Sequence, residues 1–141
     1  MGRNVFLDTN VVIDFLADRH PFSIDAARIF DLAIDGGIKI YISAVSYNNI
    51  YYILRQLLSN NATIKLLEEL ADMSEITDVT ADVIRKSLKT DFKDYEDAIQ
   101  YYCALSIPAV DFILTRNTKD FKKSTIAVLT PGEAIASLND V

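Results

Sequence analysis

Short apolar runs that stop at a polar tip govern what this chain can fold into. Val5-Phe6-Leu7 ends at Asp8-Thr9-Asn10, and Phe112-Ile113-Leu114 ends at Thr115-Arg116-Asn117 and reaches Asp120. Both runs read as short buried strands, and stretches with apolar residues at helical spacing lie between them. Strands alternating with helices imply parallel crossovers and a sheet covered on both faces. The expected fold is α/β, a three-layer α/β/α sandwich around a central, mostly parallel sheet of four or five strands. Both polar tips then share one edge of the sheet, outside the strand carboxyl ends, where open α/β sheets bind ligands.

Strands are expected over residues 5–7, 38–42, 76–79, 111–114 and 127–129. The first helix is expected over 10–17. Ser23 is the expected cap of a second helix running to about Ile34 and stopped by Gly36-Gly37. Ser43 caps a third that carries Tyr47, Ile50, Tyr51, Leu54, Leu57 and Leu58 at helical spacing. Further helices are predicted over 62–71, from the cap Thr80 to Leu88, from Asp94 to before Pro108, and from Pro131 with Thr130 as cap.

Length and composition fit one domain over residues 1–141, because half of the 141 residues are hydrophobic and can build a sizeable core. Asp and Glu outnumber Lys and Arg by 20 to 14, a formal net charge of -6. That balance argues against a basic nucleic-acid coat protein and leaves room for a nucleic-acid enzyme with a local basic rim. The single cysteine, Cys103, excludes an intramolecular disulfide and reads as a small buried hydrophobe. No charged segment followed by an apolar one opens the chain, and no apolar stretch is long enough to span a bilayer, so no membrane partner and a cytoplasmic location are expected.

Each acid near the sheet edge has a local explanation. Asp8 can cap a helix, Asp94 can cap the helix that follows it, and Asp97 and Glu96 suit that helix's positive end. Asp120 can sit in a solvated turn, as can Asn117. The set is more telling than its members. Asp8, Asp97 and Asp120 all fall near predicted sheet-edge positions, and Asp94 and Asp97, spaced i to i+3, share one helix face. Such a cluster repels itself unless a cation joins it. A hard divalent cation suits oxygen ligands, and it can activate a water and neutralise charge developing on a phosphodiester.

The other chemistry-bearing residues point to less. His20 is the only histidine, in a loop before Pro21, so zinc lacks ligands. Tyr47, Tyr51, Tyr52, Tyr101 and Tyr102 recur at helical spacing and read as core and interface residues before base-stacking ones. Arg85, Lys86, Lys89 and Lys93 fit a solvated face. Arg116, Lys119, Lys122 and Lys123 adjoin Asn117 and Asp120 and fit a positive rim, with Arg116 the expected phosphate contact and Lys119 its neighbour. No Gly-rich phosphate loop, nucleophile elbow or dinucleotide fingerprint is present. Asp8-Thr9-Asn10 lacks the nearby second acid that a phosphotransfer or phosphatase site needs.

The segment Val5-Phe6-Leu7-Asp8-Thr9-Asn10-Val11 resembles the first motif of PIN domains. Ile42-Ser43-Ala44-Val45-Ser46 before a helix resembles the second. Glu96-Asp97-Ala98 resembles the third, Thr115-Arg116-Asn117 with Asp120-Phe121 the fourth, and Val128-Leu129-Thr130-Pro131 the closing strand and turn. The motifs run in register along nearly the whole chain. The resemblance implies an Mg2+- or Mn2+-dependent ribonuclease similar to the small VapC toxins, dimeric and held inactive by an antitoxin protein. It implies Asp8 as first metal ligand, Asp97 as the central one, and Asp120 and Asn117 completing the site. Thr115 and Asn10 would support by hydrogen bonds, with Asp94 and Glu96 as additional carboxylates. One position departs from the pattern. Asn49 stands where the family's second helix normally carries an acid. An amide oxygen can coordinate a hard cation but brings no charge. Two readings follow: an active ribonuclease, or a binding module of the same fold that works through RNA or protein contact with a weakened metal site.

Overall fold

The computed structural model describes residues 2–139; residues 1, 140 and 141, the ends of the expected 1–141 span, lie outside them. In chain order the elements are β1 (Arg3–Leu7), α1 (Thr9–Leu16), α2 (Phe22–Ile34), β2 (Ile38–Ser43), α3 (Ala44–Leu54), α4 (Asn60–Met73) and β3 (Glu75–Thr77). They continue with α5 (Ala81–Leu88), α6 (Tyr95–Leu105), β4 (Phe112–Leu114), a 3-10 turn over Thr118–Phe121, β5 (Ala127–Leu129) and α7 (Pro131–Asn139).

The strands form one five-stranded sheet in the order β3-β2-β1-β4-β5, parallel throughout. β1 is central, with Val5 opposite both Ile40 and Phe112. The chain builds outward from β1 through β2 to β3, then crosses back to lay β4 on the other side of β1. That reversal makes the crevice between the carboxyl ends of β1 and β4 a switch point, the place where such sheets open a ligand cleft.

Strand alternation sends side chains to two cores. Val5 and Leu7 join Ile40, Ile42 and Leu114 against residues of α1 to α4 and α7. Phe6 and Ile113 point the other way, against Val83 of α5, Cys103 and Ala104 of α6, and Phe121. Both faces are covered at the centre of the sheet, so Val5–Leu7 of β1 and Ile113–Leu114 of β4 are buried on either side, and each fully buried Phe, Leu or Ile contributes about 1.5–3 kcal/mol. The three-layer α/β/α architecture is the one the alternating runs predict.

The caps follow local chemistry. Ser43, Thr80 and Asp94 each accept a backbone N–H in the first turn of the helix they precede. Thr130 and Glu133 exchange bonds, Thr130 N to Glu133 Oε1 at 2.9 Å and Glu133 N to Thr130 Oγ1 at 3.2 Å, a reciprocal capping box. Gly36 ends α2 with φ +82°, a left-handed conformation that few side chains tolerate.

Several boundaries differ from expectation. Ser23 does not cap α2: the helix begins at Phe22 after Pro21, and the Ser23 hydroxyl is buried in the first turn without a hydrogen-bond partner. Helix α3 stops at Leu54 rather than running to Leu58. The N–H groups of Leu57 and Leu58 both turn back to the Leu54 carbonyl, and Ser59 then caps α4 from Asn60, two residues earlier than predicted. Strand β3 covers Glu75–Thr77 rather than 76–79, because its register against Tyr41, Ile42 and Ser43 is exhausted where β2 ends.

Candidate active site

Asp8 stands at the switch point, one residue past the end of β1. Its backbone N–H is bound by the Leu114 carbonyl of β4 at 2.9 Å, which ties the two strand ends together. Oδ1 accepts the N–H of Thr9 at 2.8 Å, so the residue caps α1 as well as facing the crevice. Oδ2 accepts the Thr115 hydroxyl at 2.8 Å and, at 3.4 Å, the Asn10 amide. Thr115 Oγ1 in turn receives the N–H of Asn117 at 3.1 Å. Asp8 is only 7 % exposed. Burial pushes its pKa above the usual carboxylate range, against the lowering effect of the Thr115 and Thr9 bonds, with the charges of Asp120 and Glu96 adding to the rise.

Helix α6 delivers the second acid. Asp94 is its cap, with Oδ1 accepting the Asp97 N–H at 3.1 Å. The capping explanation of Asp94 therefore holds, and the same bond pins the first turn that presents Asp97. Asp97 is pushed up to about 7, first by burial and then by the charges of Asp8, Asp94, Asp120 and Glu96. Asp97 thus feels four other carboxylates, from the tip of β1, from α6 and its cap, and from the 3-10 turn that carries Asp120.

This shift makes metal-free stability pH-dependent with a defined sign. The folded-state pKa of Asp97 lies above its unfolded value of 3.8, so between that value and about 7 the folded state holds more protons. Stability is then greatest at the acidic end of the window and is lost as pH rises through about 7. In chelator, the melting temperature of wild-type protein should fall between about pH 5.5 and about pH 7.5 by more than that of Asp97→Asn. Equal pH responses in the two proteins would remove Asp97 as the source.

Two cavities meet at Asp97, which lines both. The larger, about 550 Å3, lies beyond Asp97 and Asp120 and is bordered by Lys93, Lys119, Lys122 and Lys123 with Phe92. The smaller, about 350 Å3, is bounded by Asp8, Glu96 and Asp97 together with Asn49, Tyr52 and Gln100. Asn49 thus shares a cavity with Asp8 and Asp97. The donors are all oxygen groups of the kind that suits a hard cation, and their mutual repulsion favours a positive occupant. Among the described residues, however, no three Asp, Glu, His or Cys side chains are grouped tightly enough to hold a metal ion between them. The set fits such a cation in chemistry and leaves space between its members.

Arg116 lines neither cavity. Its Nε bonds Asp14 Oδ2 at 2.6 Å, and its guanidinium sits over the Phe22 ring, 4.2 Å from the centroid. Asp14 is buried, and Arg19 Nε binds its other oxygen at 2.9 Å. A carboxylate buried on α1 needs countercharge, and Arg116 supplies it. The basic groups on the larger cavity are lysines instead. Of the other stretch, Lys86 pairs with Asp82 at 3.0 Å one turn away, the solvated-face arrangement. The tyrosines divide: Tyr101 is buried in the second core, while Tyr52 is 63 % exposed beside the smaller cavity.

Sequence reasoning passed over Asp14 and Gln100. Nothing in the local pattern marks Asp14, which simply falls in a helix. Gln100 could have been found, since it follows Asp97 by three positions and so shares its helix face.

The all-parallel α/β/α sheet thus carries acids at the β1 end, at the start of α6 and after β4. The family model for the PIN domain matches residues 4–119, and this chain belongs to that family. No curated protein matches the chain. Among solved structures, it is similar to VapBC2 from Rickettsia felis bound to a DNA fragment from its promoter, at 19 % identity and a TM-score of 0.67, covering 90 % of this chain and 98 % of that one. It is also similar to a toxin–antitoxin complex from Klebsiella pneumoniae, at 24 % identity and 0.66, covering 90 % and 97 %. A third is VapC20 from Mycobacterium tuberculosis, a toxin that cleaves the sarcin-ricin loop, at 15 % identity and 0.60, covering 77 % and 86 %. At these identities the likeness is one of fold.

Proposed function

We propose that this chain is a divalent-cation-dependent ribonuclease acting as the toxin of a toxin–antitoxin pair. The observation that carries the reading is the meeting of Asp8 and Asp97 in one cavity at the switch point, with Asp97 raised to about 7 by burial and by its acidic neighbours. Asp8, Asp97 and Asp120 would share Mg2+ or Mn2+ with bound waters, which such an ion keeps and which span carboxylates too widely spaced to hold it alone, with Asn49, Asp94, Glu96 and Asn117 around them. The cation would supply an activated water and neutralise charge on the phosphodiester. Thr115 and Asn10 hold the Asp8 carboxylate in place. Lys119, Lys122 and Lys93 border the adjoining cavity, where they suit the phosphates of an RNA strand.

The family and the toxin–antitoxin neighbours support an antitoxin partner. Exposed Tyr52 and Leu57, on α3 and just beyond it, are the kind of side chain that a partner or a second copy covers. No helix among the described residues is long and apolar enough to cross a membrane, which is compatible with the cytoplasm as the site of action.

The test is calorimetry with Mg2+ and Mn2+ beside an RNA cleavage assay on the same wild-type sample. Binding at millimolar metal together with cleavage supports the ribonuclease; absence of both sinks it. Asn49 favours a second reading, a binding module with a weakened cation site, because a neutral amide takes a place in the cavity that an acid could fill. Asn49→Glu is expected to tighten Mg2+ binding roughly tenfold, by adding a charge that a desolvated cation senses at close range. If the wild type already cleaves and Asn49→Glu gains nothing, the binding-module reading fails.

A further inference from the structure

Phe92 is the one uncharged residue among the described residues that line the larger cavity. It lies in the connection between α5 and α6, two residues before the cap Asp94. That connection is fastened on either side of it. Thr90 Oγ1 accepts the Tyr102 hydroxyl at 3.3 Å, Asp91 pairs with Lys123 at 3.5 Å, and Asp94 is bound to the first turn of α6. The Phe92 ring stacks on Tyr101, with centroids 5.1 Å and planes 28° apart, and meets Phe121 edge to face at 6.2 Å. Tyr101 and Phe121 are both buried, and the Tyr101 hydroxyl is held by Thr125 Oγ1 at 3.0 Å. Phe92 itself is only partly buried on this support. An aromatic ring is thus held in one orientation at the wall of a cavity whose other lining residues are all charged.

The charges say what could sit against the ring. Of the four lysines, Lys123 is engaged by Asp91. Lys93, Lys119 and Lys122 form no ion pair among the described residues. Three ammonium groups without a carboxylate partner attract an anion. A simple anion would leave the ring without a role. A nucleotide unit carries both complements, an anionic phosphate and a planar base, and every base has a π-face that stacks on an aromatic side chain. The cavity, about 550 Å3, falls within the roughly 300–1,000 Å3 of small-ligand sites. Because the ring is already held, little ordering cost falls on the protein when a base stacks on it.

We propose that the larger cavity is a nucleobase subsite, in which Phe92 stacks on the base of one nucleotide while Lys119 and Lys122 hold its flanking phosphates. The inference rests on the ribonuclease reading and adds to it a residue that grips the base. Asp97 lines both cavities, so the nucleotide on Phe92 is a near neighbour of the bond to be cut. A base inside a duplex has its faces covered by its neighbours, so the subsite takes an unstacked nucleotide.

The test compares two single-stranded probes of equal length and charge, a short oligoadenylate and an oligomer of abasic ribose phosphates. Binding is measured by fluorescence anisotropy in chelator on wild type, Phe92→Leu, Phe92→Trp and the double variant Lys119→Gln/Lys122→Gln. Cleavage is assayed separately on the same proteins with Mg2+. Wild type should bind the oligoadenylate about tenfold more tightly than the abasic strand, the scale of one base–aromatic stack. Phe92→Leu should lose that tenfold and bind the abasic strand as wild type does, a pattern that mere loosening of the wall would not give. Phe92→Trp should restore it. The double lysine variant should flatten the salt dependence for both probes, by about 0.7 in logarithmic slope for each lysine. Equal wild-type affinity for the two probes overturns the subsite, as does undiminished oligoadenylate binding by Phe92→Leu; cleavage by the wild type in either case leaves the ribonuclease reading standing. A base-dependent affinity that Phe92→Leu abolishes, without cleavage by the wild type, supports the subsite and overturns the ribonuclease. Absence of both binding and cleavage overturns both. If Phe92→Leu does not fold, the comparison of the two probes on wild type decides.

Discussion

Asp8→Asn should fold and melt at least as high as wild type in the absence of metal, while RNA cleavage falls by at least about 100-fold, the lower end of what a positioned acid–base or metal-holding group contributes. Retention of the fold follows from the capping geometry. Asn is as good an N-cap as Asp, and its carbonyl can take over the Thr9 N–H that Oδ1 accepts. The amide end can donate to Thr115 Oγ1, which the carboxylate now accepts from. Substitution also removes a buried charge that repels Glu96, Asp97 and Asp120, so Asp97 should titrate lower than about 7 in the mutant. Asp97→Asn should lose cleavage to a similar extent, because it removes the acid that both cavities share. Wild-type rates in both mutants would place the chemistry elsewhere in the molecule.

Asp14→Ala should be destabilising, by about 2–3 kcal/mol and a melting temperature lower by roughly 5–10 °C. Its side chain is 2 % exposed and binds two guanidinium groups, Arg116 at 2.6 Å and Arg19 at 2.9 Å. Losing one partner of a fully buried pair costs more, but here the surviving charges can rehydrate, since Arg19 is 43 % and Arg116 27 % exposed. The Arg116 contact ties α1 to the segment after β4, directly beside Asn117. Cleavage should therefore fall along with stability, and a stable Asp14→Ala protein with unaltered activity would show that the pair is ornamental to both. Thermal denaturation followed by circular dichroism, with cleavage measured well below the transition, separates the two effects.

The layering was legible because it depends on patterns confined to a few residues. Val5-Phe6-Leu7 and Phe112-Ile113-Leu114 can be apolar throughout only if both faces of the sheet are covered, and the caps Ser43, Thr80, Asp94 and Thr130 act within one turn. Where expectation slipped, a non-local constraint intervened. Helix α3 carries apolar spacing out to Leu58, yet the chain turns after Leu54 and leaves Leu57 68 % exposed.

The site divides along the same line. Asp8 was visible as the polar tip of a buried strand, and Asp97 as a partner of Asp94 on one helix face. Arg116 reads as a free cation beside Asn117, and only folding shows that Asp14, 102 residues away, claims it. Gln100 goes unremarked in the sequence, and only folding brings its amide nitrogen against Thr9 and Ser46. By itself the sequence determined the strand and helix order and the acids at the sheet edge, since alternation and capping are written in adjacent residues. Tertiary structure alone decided which polar groups are already satisfied and which still need a partner, because burial and hydrogen-bond completion depend on atoms brought together from distant parts of the chain.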